Sequence, residues 1–250
     1  MSRIVTLHGW AMHSGLFEDL ERAAPDHEWI GLDLPGHGRR REAAWPDDPV
    51  ADVAARAADA LGDGGLLLGW SLGGLLALQA VLRGAVAPRG LVLVAATPCF
   101  LRRPHWPDGV EPALLKAMSL DLVSNPEAVF QRFLALEIQG AADARAELRR
   151  LRALATRHGL PDPAALVAGL NHLSDSDVSG SLNEVCCPVL LIGGRRDRLV
   201  PWAALERTAE ALPDARLARI PGAAHAPFLT RPGLVADEID RFLDEMTPRR

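Results

Sequence analysis

The chain has 250 residues and a mass of 26.9 kDa, and 48% of its residues are hydrophobic, so it is long enough to bury one large core. Its formal net charge of -5 at pH 7 argues against general binding to nucleic acids or anionic membrane surfaces. The N-terminus passes from Met1 directly into a β-like run without the apolar stretch of a signal peptide, which predicts a cytoplasmic protein.

Short apolar runs alternate with helical patterns along most of the chain. The predicted strands are residues 4–7, 29–34, 66–68, 91–95 and 189–192, and an alanine-rich helical pattern covers residues 52–61. Several of these runs are aliphatic on both faces, as is typical of parallel strands covered by helices. The alternation predicts an α/β fold with a mostly parallel, doubly wound sheet.

The middle of the chain has a different character. Residues 99–184 contain no convincing strand pattern and read as helices interrupted by prolines. We therefore predict a core formed by residues 1–98 and 186–250. Residues 99–185 are predicted to form a helical cap, or lid, inserted between two strands over the C-terminal edge of the sheet.

Residues 64–82 run for nineteen residues without a formal charge, and three interpretations compete for them. They resemble a membrane span in length and apolarity, or a plain buried strand and helix. The third interpretation is a strand that turns sharply at Gly69-Trp70-Ser71-Leu72-Gly73 into a helix, which is the G-x-S-x-G nucleophile elbow. The elbow accounts for both Gly69 and Gly73, because side chains beside so tight a turn would collide.

A serine nucleophile needs a histidine base and a carboxylate that orients the histidine. His225 follows a predicted strand ending at Ile220, near the C-terminus, and Asp197 follows the strand at residues 189–192. Both positions come after Ser71 in the order serine, acid, histidine and fall at the same sheet edge. The alternatives are a loop histidine held by backbone and a surface aspartate paired with a neighbouring arginine.

An oxyanion hole needs two backbone N–H groups that point at one oxygen. One is expected from Leu72, at the start of the helix after Ser71, and the other from Trp10, in the loop after the first strand. We interpret His8 and His37, which lie in similar loops, as structural histidines whose rings are hydrogen-bonded to backbone.

The three cysteines, Cys99, Cys186 and Cys187, predict free thiols rather than a disulfide framework or a metal site, because their number is odd and no CxxC spacing occurs. Cys99 follows a strand end, but a buried thiol is favoured there over a nucleophile. We expect no metal, no other cofactor and a monomer.

Together, HGW at His8, GWSLGG at Gly69, GRRDRLVP at Gly193 and AAHAPF at Ala223 resemble the motifs of the α/β-hydrolase superfamily. TPCF at Thr97 and RFLAL at Arg132 narrow the resemblance to the pimeloyl-[acyl-carrier protein] methyl ester carboxylesterases of biotin synthesis. The resemblance implies an α/β-hydrolase fold and a serine esterase with Ser71, Asp197 and His225 as catalytic residues. Members of the family usually carry one or two further strands before the HGW strand.

The resemblance also implies the substrate contacts. Trp10 and Leu72 would bind the oxyanion, and Phe133 would line the acyl pocket. Arg132, Arg145 and Arg149 match positions that grip an acidic acyl-carrier protein, whereas Ala128 stands where another arginine is expected.

The sequence itself predicts a basic helix face. Arg145, Arg149 and Arg152 share one side of a helix, while Leu148, Leu151 and Ala155 share another. The alternative is an ordinary solvated helix face. An acyl-carrier protein is therefore the expected partner, with neither nucleic acid nor a membrane. Two other functions stay open because fold and triad do not fix a substrate: a general short-chain esterase or carbon–carbon bond hydrolase, and a non-catalytic binding protein on the same frame.

Overall fold

A single parallel sheet organises the described part of the chain. The structure, a computed structural model, describes residues 1–62, 64–139 and 144–246. Within these residues six strands pair in the order β2-β1-β3-β4-β5-β6, and every neighbouring pair is parallel. The strands are β1 (Arg3–Leu7), β2 (Glu28–Leu32), β3 (Leu66–Trp70), β4 (Gly90–Val94), β5 (Val189–Gly194) and β6 (Ala215–Ile220). The predicted parallel α/β architecture is confirmed.

Four strands end one or two residues away from the sequence prediction, and the reason can be identified for β2 and β3. β2 ends at Leu32 rather than at residue 34, because the next side chain, Asp33, accepts hydrogen bonds from the backbone N–H groups of Ser14 and Arg39 at 2.7 and 2.8 Å. β3 continues to Trp70, since Gly69 and Trp70 still pair with β4. The sharp turn therefore begins directly at Ser71.

Helices cover the sheet and fill the long segment between β4 and β5. They are α1 (Glu18–Ala23), α2 (Pro49–Leu61), α3 (Leu72–Leu82), α4 (Pro112–Ser124), α5 (Pro126–Glu137), α6 (Ala144–Ala155), α7 (Pro163–Asp175), α8 (Trp202–Ala211), α9 (Pro227–Thr230) and α10 (Pro232–Glu245). Proline occupies one of the first two positions of six of these helices, α2, α4, α5, α7, α9 and α10, where its missing N–H costs nothing.

The segment between β4 and β5 lies against the C-terminal edge of the sheet. Its described residues contain α4 to α7 and isolated bridges such as Cys99 with Asp177, but no strand of the sheet. The indole N–H of Trp10 donates to the carbonyl of Leu166 in α7 at 2.8 Å. A side chain at Gly169, also in α7, would come within 2.9 Å of Trp10. Helix α7 therefore packs directly against the loop after β1.

The centre of the core contains β3 and α3. Every residue of β3 is buried, and so are the first nine residues of α3. The membrane interpretation of residues 64–82 is wrong, because five of these nineteen residues form a central strand and the helix that follows has only eleven. Among the described residues, no helix combines the length and apolarity needed to cross a bilayer.

Candidate active site

Ser71 lies in a strained turn between β3 and α3. Its φ and ψ are 52° and -118°, a left-handed conformation that non-glycine residues rarely adopt. The turn is held by the Ser71 N–H, which donates to the carbonyl of Val94 in β4 at 3.0 Å. The side chain is thereby lifted to the C-terminal edge of the sheet, at the N-terminus of α3.

The glycines around Ser71 are required by contacts with backbone. A Cβ at Gly69 would lie 2.4 Å from the Cα of Gly74, and a Cβ at Gly73 would lie 2.5 Å from the carbonyl oxygens of Leu7 and His8. At Gly74 a Cβ would meet that of Ala96 at 2.4 Å. The turn therefore closes on itself at Gly69, and on the ends of β1 and β4 at the other two positions.

Ser71, His225 and Asp197 form a continuous hydrogen-bonded chain. His225 Nδ1 lies 2.8 Å from Asp197 Oδ2, and Nε2 lies 2.9 Å from Ser71 Oγ. A carboxylate only accepts, so Nδ1 carries the proton, and Nε2 of the neutral ring accepts from the serine hydroxyl. This arrangement can remove a proton from Ser71 while it attacks a carbonyl carbon.

Asp197 is fixed by its own loop after β5. Its Oδ1 accepts from the N–H groups of Leu199 and Val200 at 2.8 and 2.9 Å, which leaves Oδ2 for His225. The Asp197 side chain is only 1% exposed. The structure thus places this carboxylate inside the site rather than in a surface pair with a neighbouring arginine.

His225 is held by the elbow and by the loop that carries Asp197. The indole N–H of Trp70 donates to the His225 carbonyl at 3.0 Å. The N–H of Arg196 donates to the carbonyl of Ala223 at 3.0 Å. A Cβ at Gly194 would come within 2.4 Å of that same oxygen, so the two loops pack without space for a side chain. Hydrogen bonds and close backbone packing between their loops therefore hold Ser71, Asp197 and His225 in position relative to one another.

The carboxylates of Asp197 and Glu137 stabilise the protonated form of His225, which is the form that the ring takes once it has accepted the Ser71 proton. Burial opposes the charged ring, but the carboxylates of Asp197 and Glu137 outweigh it and raise the pKa of His225 to about 9. A strongly shifted pKa at a buried histidine is typical of a functional site. The neutral ring that accepts the Ser71 proton is consequently the minor form at pH 7, and its share grows as the pH rises towards 9.

The loop after β1 lies against Ser71. A side-chain carbon at Gly9 would be 3.3 Å from the Ser71 Cβ, so the backbone of residues 8–10 passes directly beside the hydroxyl. Within the described residues, neither the Trp10 nor the Leu72 backbone N–H donates a hydrogen bond to another group of the protein. Both amides are available to an oxygen bound beside Ser71, which is what an oxyanion hole needs.

Phe133 of α5 packs against the side chain of Trp10, in the loop after β1. Its ring contacts the Trp10 indole edge to face, with centroids 4.7 Å apart, and both side chains are buried. The predicted acyl-pocket residue therefore lies beside the predicted oxyanion loop, although the two are far apart in sequence. An apolar cleft of about 130 Å³ between α4 and α5 runs past it, lined by residues that include Met118, Arg132 and Leu136.

His8 and His37 have the structural role expected of them. The Leu34 N–H donates to His8 Nε2 at 2.9 Å, so Nδ1 carries the proton and donates to the Gly9 carbonyl at 2.8 Å. His37 Nδ1 lies 2.8 Å from the carbonyl of Pro35. Burial lowers the pKa of His8 to about 3 and that of His37 to about 4, so both rings are neutral. Cys99 is buried too, and burial raises its pKa to about 11, far from a reactive thiolate.

Sequence reasoning missed Glu137, at the end of α5. Its side chain is fully buried, and its Oε1 lies 4.0 Å from His225 Nε2. Glu137 follows Phe133 by one helical turn, so it occupies the buried face that Phe130 and Phe133 define. An acid on an otherwise apolar helix face was the available signal.

The three arginines predicted to grip a carrier lie on exposed surfaces. Arg132 is 62% exposed and pairs with Asp121 of α4 at 2.6 Å. Arg145 and Arg149 lie on the exposed side of α6, with Arg152, while Leu151 and Ala155 are buried. The predicted amphipathic pattern of α6 is confirmed, and α6 follows α5 in the chain and contacts it.

Protein-family models and curated relatives agree with the α/β fold of the chain. A family model described as "Alpha/beta hydrolase family" matches residues 4–238. The pimeloyl-[acyl-carrier protein] methyl ester esterase of Xanthomonas oryzae pv. oryzae is 42% identical over 246 residues, which cover 96% of this chain and 94% of that protein. The protein of the same name from Xylella fastidiosa is 40% identical, with the same coverage.

Solved structures share the fold at lower identity. An esterase from Exiguobacterium antarcticum superposes with a TM-score of 0.85 at 20% identity, covering 98% of this chain and 92% of the other. A bromoperoxidase from Bacillus anthracis has the same TM-score at 18% identity, with 97% and 92% covered. An esterase and a bromoperoxidase that share one architecture show that the fold alone does not indicate a substrate.

Proposed function

The chain belongs to the alpha/beta hydrolase family, and within it we propose that it is a serine carboxylesterase for the methyl ester of a pimeloyl chain on acyl-carrier protein. Relatives at 40 to 42% identity over nearly their whole length are named for this activity. The observation that carries the proposal is the buried hydrogen-bonded chain of Ser71, His225 and Asp197.

The first half of the reaction forms an acyl-enzyme. Ser71 Oγ attacks the ester carbonyl as His225 Nε2 takes its proton, and the N–H groups of Trp10 and Leu72 stabilise the oxyanion. His225 then gives the proton to the departing methanol. Asp197 keeps Nδ1 protonated and stabilises the charged ring throughout.

The acyl chain is assigned to the cleft between α4 and α5. Its lining is mostly apolar, and it extends from Phe133, beside the oxyanion loop, to Arg132 and Asp121 at the surface. A pimeloyl chain is apolar along its methylenes and is joined to a bulky carrier at the end that does not react. An apolar cleft with Arg132 and Asp121 among its lining residues suits both ends of such a substrate.

The basic side of α6 and the exposed Arg132 are proposed to contact the carrier. The chain as a whole is acidic, yet five arginines and one acid occur between Arg145 and Arg157. An acidic carrier would be steered to this part of the surface and held with its acyl chain towards the cleft. The helical cap of residues 99–185 would then serve as both the roof of the site and the docking surface.

The test is hydrolysis of a methyl pimeloyl ester on acyl-carrier protein, compared with hydrolysis of p-nitrophenyl butyrate. Wild type should turn over both, and Ser71→Ala should lose about 10⁴-fold or more on each, because the nucleophile is gone. A Ser71→Ala variant with full activity would overturn the triad.

Expression of the wild-type protein should restore growth of a biotin-requiring strain that lacks its own esterase. A soluble wild-type protein that hydrolyses the small ester but fails on the carrier-bound ester and in the strain would be a general esterase instead. Inactivity towards both esters would favour a binding protein.

A further inference from the structure

Glu137 is a fully buried acid beside His225 whose role the triad does not explain. Both of its carboxyl oxygens are buried, and neither has a hydrogen-bond partner among the described residues. A buried carboxyl without partners is costly, by roughly 1–3 kcal/mol or more, and native proteins rarely keep one without a use. By contrast, both carboxylate oxygens of Asp197 have hydrogen-bond partners. Oδ1 accepts from the N–H groups of Leu199 and Val200, and Oδ2 accepts from His225 Nδ1.

Glu137 lies close to the reacting atoms. Its Oε1 is 4.0 Å from His225 Nε2, the nitrogen that contacts Ser71 Oγ at 2.9 Å. Two groups at that separation are too far apart to form a hydrogen bond with each other. Both can nevertheless form a hydrogen bond of about 2.8 Å to one oxygen atom placed between them. In the acyl-enzyme, the water that attacks the ester must occupy a place within reach of Nε2.

Resting on the proposed function, we propose that Glu137 is a further catalytic residue, which binds and orients the water that hydrolyses the acyl-enzyme. The water donates one hydrogen to His225 Nε2 and the other to a Glu137 carboxyl oxygen, so that its lone pair faces the acyl carbon. The water oxygen bonds to that carbon as His225 takes its proton. The bond to Ser71 Oγ then breaks, and His225 returns the proton to Ser71. Glu137 holds the water and its own protonation state does not change.

The charge state of Glu137 suits this role. Burial raises its pKa to about 7, with the Asp197 carboxylate adding to the rise and protonated His225 opposing it. At and above neutral pH, a large fraction of Glu137 is therefore an acceptor-only carboxylate, the form that a water donor requires. The groups that face it are His225 and Asp197.

The role predicts an effect on one half of the reaction. Formation of the acyl-enzyme needs Ser71 and His225 but no water, whereas its breakdown needs the oriented water. With p-nitrophenyl butyrate, Glu137→Leu should keep the rate of the initial burst of nitrophenol and lose about 10- to 100-fold in steady turnover. Intact mass spectrometry should show the butyryl group accumulating on Ser71.

Glu137→Gln supplies a second variant with the same shape. The ratio of its turnover to its burst rate should lack the rise between about pH 6 and 8 that ionisation of a group with a pKa of about 7 gives to wild type. His225 serves both acylation and deacylation, so a change in His225 alters the burst rate and the turnover together. A change in the ratio of burst rate to turnover therefore reports a specific effect on the attack of water. Glu127→Gln, an exposed acid in the first turn of the same helix, makes the same charge change and should leave both rates as in wild type.

Two results would overturn the role of Glu137. Unchanged turnover in both variants would show that the carboxyl is not needed for the water. Equal slowing of burst and turnover would show that Glu137 acts on His225 or on the fold. Loss of the burst in Ser71→Ala tests the esterase mechanism separately, so failure of the two proposals can be distinguished. If Glu137→Leu does not fold, the pH profile of Glu137→Gln decides.

Discussion

At the scale of single residues, the candidate site concentrates energetically unfavourable features. Ser71 is held at a positive φ, and Glu137 is buried without hydrogen-bond partners among the described residues. Each costs stability, of the order of 1–3 kcal/mol. The surrounding backbone contacts between the loops of Asp197 and His225 maintain this arrangement.

The cost of Glu137 gives a prediction for stability. Its folded pKa of about 7 lies above the ordinary glutamate value of 4.5, so folding favours the protonated carboxyl and stability falls as pH rises through that range. The amide introduced by Glu137→Gln does not titrate. This variant should therefore be more stable than wild type at pH 8, by about 1–3 kcal/mol, since the charged His225 returns part of the cost.

Thermal unfolding at pH 8 and at pH 4.5 checks this. We expect a melting temperature several degrees higher for the variant at pH 8 and a much smaller difference at pH 4.5. Equal melting temperatures of wild type and Glu137→Gln at both pH values would contradict the prediction. They would mean that hydrogen-bond partners or solvent stabilise the charged Glu137 carboxylate in the folded protein. Glu127→Gln provides the comparison for loss of a charge from the same helix.

At the scale of elements, the sequence predicted best what is decided locally. The elbow follows from residues within a few positions of Ser71, and the meeting of Ser71, Asp197 and His225 follows from parallel strands that share one C-terminal edge. Glu137 could not be placed in the same way. A lone glutamate in a helix is normally solvated, and its burial depends on how α5 packs over His225, some ninety residues further along the chain. Likewise, the early end of β2 depends on Asp33 contacting Ser14, nineteen residues away.

The helix α6 carries the next prediction. If its exposed arginines hold an acidic carrier, Arg145→Glu with Arg149→Glu should lower kcat/KM for the carrier-bound ester by about 10-fold or more and spare p-nitrophenyl butyrate, because lost attraction becomes repulsion. Steady-state kinetics on both substrates measure this. The double variant Arg231→Glu with Arg241→Glu makes the same charge change as a control, since both arginines are exposed, one just before α10 and one within it. An equal effect on both substrates would contradict carrier docking at α6.

At the scale of the whole molecule, charge is distributed unevenly in a way that composition hides. The chain has a net charge of -5, which alone would repel an acidic partner, and attraction therefore depends on a local basic surface. Because such a surface is exposed to solvent, its field is screened by salt, with a Debye length of about 10 Å at 0.1 M. The buried chain of Ser71, His225 and Asp197 is shielded from that screening.

Salt should therefore separate docking from chemistry in the wild-type protein. Raising sodium chloride from about 20 mM to 0.5 M shortens the Debye length several-fold, so kcat/KM for the carrier-bound ester should fall while that for p-nitrophenyl butyrate stays nearly constant. In the Arg145→Glu with Arg149→Glu variant the salt dependence should vanish or reverse, since salt then screens repulsion. A wild-type protein equally insensitive to salt with both substrates would mean that the carrier is recognised through the apolar cleft alone, and that the basic side of α6 is an ordinary solvated helix face.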